Sequence, residues 1–162
     1  MSLSPGYVLR EKFKQLAVND QDFFLELKWK AVPKGRPRVG RHSVYTPKRT
    51  REFEAKVKAA AKTVDRAPYT CPVKVEVYVC EPIPQTYKGF KRAAALEGLI
   101  NPPVGDLDNK VKAITDALNG KAYLDDKQIV DIRATKRFSP SASIVVIVSR
   151  AGLSLGEVQE CQ

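Results

Sequence analysis

Histidine is nearly missing from this chain of 162 residues, where His42 stands alone. One imidazole excludes a histidine-rich metal cluster, and Ser-His-Asp or Cys-His catalysis would depend on that single residue of a basic loop. Cysteine is scarce as well. Cys71, Cys80 and Cys161 are odd in number and lack C-x-x-C spacing, which argues against a disulfide framework and a thiolate zinc site. No apolar run nears the ~20 residues of a membrane-spanning helix, and the N-terminus lacks the basic-then-apolar order of a secretory signal. A soluble, cytoplasmic protein with no membrane attachment is the expectation. Acid is the remaining shortage: 18 Asp and Glu face 28 Lys and Arg, for a formal charge of +10. Such an excess draws a protein towards polyanions, of which nucleic acid is the commonest.

At this length, with 43% hydrophobic residues, one domain can bury roughly two thirds of its unfolded surface. In "DFFLELKWK", Phe23, Leu25, Leu27 and Trp29 alternate with polar or opposite-facing residues, the period of a half-buried strand. Val73, Val75, Val77 and Val79 share one face of a second strand. "QIVDIRATKRF" alternates Val130, Ile132, Ala134 and Phe138 against Asp131, Arg133 and Thr135, and "SIVVIV" reads as a centrally buried strand. Thr46 and Pro47 offer a helix cap and a first-turn proline, and Phe53, Val57, Ala60, Ala61 and Val64 carry the helix over 47–64. The expected fold is a single α+β domain with a mixed sheet of about four strands and two main helices. Its order is β-α-β-(short helix)-α-β-β over 21–150. Residues 1–20, with a weak helical pattern in Val8, Phe13 and Leu16, form an N-terminal extension of uncertain structure. Residues 82–104, bounded by prolines, form a basic excursion with its own short helix, and 151–162 form a loosely held tail.

Charge along the chain is segregated. From Lys28 to Arg51 there are nine bases (Lys28, Lys30, Lys34, Arg36, Arg38, Arg41, Lys48, Arg49, Arg51) and no acid. Like charge is costly to pack together, so this loop and the following helix form a prospective phosphate-binding surface; a merely solvated loop is the plainer alternative. "GRPRVGRH" echoes a P-loop in its glycine spacing but has Arg41 and His42 where that motif needs Lys and then Ser or Thr.

The opposite charge gathers between Gly105 and Asp131: six acids (Asp106, Asp108, Asp116, Asp125, Asp126, Asp131) against four lysines. In "GDLDNKVKAITDALNG" the apolar stripe Leu107, Val111, Ile114 and Leu118 places Asp108, Lys112 and Asp116 together on another face, with Asp106 just before the first turn. These acids can be read as a cap and i,i+4 ion pairs. The further pair Asp125 and Asp126 in "YLDDKQIVD" favours another reading. Two carboxylates about 4 Å apart repel by about 4 kcal/mol at an effective dielectric near 20, so several together call for protons or a cation, with Mg²⁺ the natural choice. An EF-hand fails, because Val111 and Ala117 occupy its glycine and glutamate places.

Together "VPKGRPR", "YTPKRTREFE", "KRAAALEG", "GDLDNKVKAITDALNG" and "YLDDKQIVD", in this order over about residues 23–148, resemble the RusA family of Holliday junction resolvases, especially its phage and prophage branch. The resemblance implies a homodimeric, Mg²⁺-dependent endonuclease that binds four-way DNA junctions and nicks two strands symmetrically. It places the essential metal-binding acids at Asp106, Asp108 and Asp126 and the essential lysine at Lys112, with Asp125 and Asp116 of uncertain role. Gly105 departs from members that carry a base before the first aspartate, and 82–104 is longer than in the shortest members. Lys34, Arg36, Arg38, Lys48, Arg49 and Arg51 would grip DNA backbone, joined by Lys88, Lys91 and Arg92 of the excursion. A non-catalytic junction-binding module and a flap or fork nuclease of the same chemistry are the alternatives.

Overall fold

Val73, Val75, Val77 and Val79 are wholly excluded from solvent, each contributing roughly 1.5–3 kcal/mol of transfer free energy. They belong to the strand around which the molecule is assembled. The computed structural model describes residues 22–39 and 44–152. The elements are β1 (Phe23–Leu27), β2 (Arg38–Val39), β3 (Val44–Tyr45), α1 (Lys48–Ala61), β4 (Val73–Pro82), α2 (Gly89–Leu96), α3 (Leu107–Leu118), a 3₁₀ turn (Asp126–Gln128), β5 (Ile129–Ser139) and β6 (Ser143–Arg150). This is a single α+β domain whose four-stranded mixed sheet has the order β1-β6-β4-β5. β6 runs antiparallel to both β1 and β4, while β4 and β5 are parallel. α1 and α3 pack on each other, and Phe53, Val57, Ile114 and Leu118 close the core over the valines of β4 and β6.

"SIVVIV" is central, as its unbroken apolar run requires: Ile144 to Val148 are all buried between two strands. β5 is an edge strand, and there the alternation read from sequence does not translate into burial. Val130 and Ile132 are 63% and 49% exposed on this strand, which is paired on one side only. A register shift opposite Val73 and Lys74 also leaves Val130 without a strand partner. Trp29 lies beyond the end of β1 and is exposed.

Three further expectations change. The basic segment read as loop contains a small antiparallel ladder, Arg38 with Tyr45 and Val39 with Val44, short enough to be compatible with the flanking prolines and glycines. Pro47 itself is the residue before the first turn of α1, and no side chain caps the helix; it ends at Ala61, three residues sooner than the apolar spacing indicated. The short helix of 82–104 packs through Ala95 with Ile83 and Phe138, and Tyr87 meets Phe138 edge-on at 5.7 Å. The helical pattern expected in 1–20, most of the tail at 151–162, and Arg41, His42 and Cys161 lie outside the described residues.

Candidate active site

A glycine stands just before the cap of the acid-bearing helix because the backbone turns there through φ +69°, at Gly105. Asp106 follows at the cap position without a side-chain capping bond, its Oδ2 3.5 Å from Asn109 Nδ2. Asp108 lies in the first turn of α3, where the helix dipole favours negative charge. Both carboxylates are exposed. Among the described residues neither has a lysine or arginine within ion-pair range.

One turn on, Lys112 reaches between two acids, with Nζ 3.1 Å from Asp116 Oδ1 and 3.8 Å from Asp126 Oδ2. Its side chain is 59% exposed. The second oxygen of Asp116 accepts a hydrogen bond from Lys34, whose ammonium also stands 3.5 Å from Glu54 on α1. Lys34 backbone N–H donates to Asn109 C=O at 2.8 Å. The segment "VPKGRPR" is thereby fastened along α3, and Lys34 faces the acids. Burial pushes the Asp116 carboxyl up, but hydrogen bonds from Lys34 and Lys112 and the charge of both outweigh it, leaving the group below the ordinary carboxylate range.

Asp126 is delivered by a tightly hydrogen-bonded turn. The Asp125 side chain accepts from Lys127 N–H at 2.9 Å, so Asp125 acts as the cap of the 3₁₀ turn. Gln128 Oε1 accepts from the N–H groups of Leu124 and Asp125 at 2.8 and 3.0 Å. Its Nε2 donates to the carbonyls of Tyr69 and Cys71 at 3.0 and 2.9 Å. Tyr123, completely buried, donates its hydroxyl to Thr115 C=O on α3 at 2.8 Å. Four segments distant in sequence therefore meet here: the Lys34 loop, α1, α3 and the turn before β5.

Asp106, Asp108 and Asp126 were expected to share one ion. Among the described residues no three Asp, Glu, His or Cys side chains are grouped so as to hold a metal ion; Asp126 is joined to α3 through Lys112. The donor set is nonetheless of one kind, exposed carboxylates at a helix start and a carboxylate on the turn that meets the same helix through Lys112. That suits a hard cation keeping much of its water shell, as Mg²⁺ does, and does not suit a dehydrated all-protein cage.

Of the bases expected to grip DNA, Arg36, Lys48, Arg49 and Arg51 are exposed around the start of α1. There a groove of about 430 Å³ runs between Arg36 and Arg49. Gly35 makes that approach possible: a Cβ there would stand 2.8 Å from Pro47 Cγ, and its N–H donates to Thr50 Oγ1 at 3.1 Å. Lys88, Lys91 and Arg92 are also exposed, with Lys91 lying over the Tyr87 ring at 4.0 Å.

Sequence reasoning missed Gln128, Tyr123 and a wholly buried lysine, Lys110, which is ion-paired with buried Glu81. A signal for Lys110 was present, since it falls at i+3 from Leu107 and i−4 from Ile114, inside the apolar stripe.

The family model described as endodeoxyribonuclease RusA matches residues 28–149. The uncharacterized protein YqaN of Bacillus subtilis (strain 168) is 32% identical over 120 residues, covering 72% of this chain and 84% of that protein. The matched span begins just after β1 and ends within β6, taking in the basic segment, the acid-bearing helix and the Asp126 turn. This chain belongs to the RusA endodeoxyribonuclease family.

Proposed function

We propose that this protein is a structure-selective endodeoxyribonuclease that resolves four-way DNA junctions in the cytoplasm, acting as a homodimer by Mg²⁺-dependent hydrolysis of two symmetry-related phosphodiesters. The observation that carries the reading is the meeting of the Asp126 turn with α3 at Lys112, one helical turn from Asp108. Asp106, Asp108 and Asp126 would hold the ion, which when bound supplies a lowered water pKa and charge neutralisation at the phosphate. Lys112 is flanked by Asp116 and Asp126 yet more than half exposed, so it presents an ammonium to the charge developing on the scissile group. Asp116 and Lys34 orient Lys112 from behind. Arg36, Arg38, Lys48, Arg49 and Arg51, with Lys88, Lys91 and Arg92 on the excursion, bind backbone phosphates without reading sequence. A junction offers two equivalent strands, which a twofold dimer with two equivalent sites matches.

The test is Asp108→Asn assayed on a labelled four-way junction with and without Mg²⁺. Nicking falls by at least about 10³-fold while junction binding is kept or improves, because the change removes a metal-facing charge and leaves the basic grip intact. Unchanged cleavage by the variant refutes the assignment. Binding by the parent without any Mg²⁺-dependent product would make it a junction-binding module, and faster cutting of flaps or forks than of junctions would reassign the substrate.

A further inference from the structure

Lys110 and Glu81 are the two buried charged side chains among the described residues, at 0% and 2% exposure. Withdrawing two ions from water costs more than their mutual attraction usually returns, and apolar residues of similar volume serve stability as well or better. Stability therefore does not account for a lysine in the apolar stripe of α3. Its contacts do. The Lys110 ammonium pairs with Glu81 of β4 and donates to the carbonyl of Val104 at 2.7 Å, two residues before Asp106. Its Cε lies against Gly105, where an added Cβ would stand only 2.9 Å away. From β5, Lys136 Nζ donates to the Gly105 carbonyl at 2.8 Å. The two peptide carbonyls that lead into Asp106 are thus each held by a lysine tied to a different part of the sheet, whereas Asp106 has no capping bond of its own.

Resting on the metal-dependent reading above, we propose that Lys110, braced by Glu81, and Lys136 are positioning residues that fix the Val104–Gly105 turn and so aim the Asp106 carboxylate at the bound cation. They touch neither substrate nor ion. Lys136 also places a cation beside Gly105, the position that some members of the family fill with a base.

The experiment compares the full-length parent with Lys136→Met and with the double variant Lys110→Met/Glu81→Met, which removes both buried charges together. Three quantities are read: kcat on a four-way junction in Mg²⁺, junction Kd in EDTA, and Mn²⁺ affinity by electron paramagnetic resonance. Both variants are expected to lose about 10- to 100-fold in kcat and about tenfold in Mn²⁺ affinity, with junction Kd within about twofold of the parent. Parental kcat and Mn²⁺ affinity in both variants overturn the proposal. So does a weakened junction Kd at unchanged kcat in Lys136→Met, which would make that lysine a DNA contact. If circular dichroism shows the double variant unfolded, Lys136→Met decides alone, since that side chain is only partly buried. A parent that binds Mn²⁺ but leaves junctions intact refutes the proposed function, and the Mn²⁺ titrations then still decide the positioning.

Discussion

Lys34 and Asp116 show how one contact joins a loop to the acid-bearing helix. Burial alone would lower the lysine and raise the aspartate, yet hydrogen bonding between them and the neighbouring charges reverse both directions. A carboxyl whose pKa is lowered by folding lends stability that is complete above its unfolded value and vanishes as pH falls through the folded one. For Asp116 the loss begins below the ordinary 3.8. A lysine raised by folding contributes fully below its ordinary 10.5 and loses that contribution as pH climbs through the raised value. Asp116→Asn should therefore lower Tm at pH 7, and the gap from the parent should narrow steadily once pH drops under that carboxyl value. Paired thermal melts across acidic buffers check it; a gap of constant size would mean the ion pair is not the stabilising contact.

At the scale of elements, the turn before β5 depends on one amide. Gln128 satisfies two N–H groups of its own turn and two carbonyls 59 and 57 residues away. Gln128→Ala leaves those groups to water or unpaired, at a cost of about 1–3 kcal/mol, and loosens Asp126 relative to α3. Urea melts should show the loss, and kcat should fall by about tenfold with junction affinity unchanged. Tyr123→Phe, which removes the bond to Thr115, should cost about 1 kcal/mol in the same melts. Much of this architecture could be read in advance. The period-two valines, the apolar stripe of α3 and the paired acids before a strand are local patterns, and local patterns survive in sequence. Gln128 was illegible because the carbonyls it satisfies lie 59 and 57 residues away, and Tyr123 because its partner is a backbone carbonyl of Thr115, which leaves no mark in the residue pattern. Val130 and Ile132 misled for a different reason: alternation reports which way a side chain points, while burial depends on what packs over it.

At the scale of the whole molecule, the division of charge makes binding and chemistry separable. The formal charge of +10 coexists with acids gathered around α3, so under the proposed function DNA would be held by one surface and cut beside another. Each phosphate contact adds about 0.9 to the slope of log affinity against log salt. Arg49→Ala and Arg51→Ala should each flatten that slope by about one unit and weaken binding about equally on junctions of different sequence. Fluorescence anisotropy over a salt series at fixed pH measures both; an unaltered slope would remove those arginines from the DNA contact.

The order of strands has a consequence for synthesis on the ribosome. Among the described residues β6 is the last strand made, yet it lies between β1 and β4 and pairs with both. A nascent chain released before Ser143 already contains Asp106, Asp108, Lys112 and Asp126 but cannot join the two halves of its sheet. The sheet that supports these residues is thus completed only after β6 has emerged, and a chain truncated at residue 142 should neither show a cooperative melt nor nick a junction.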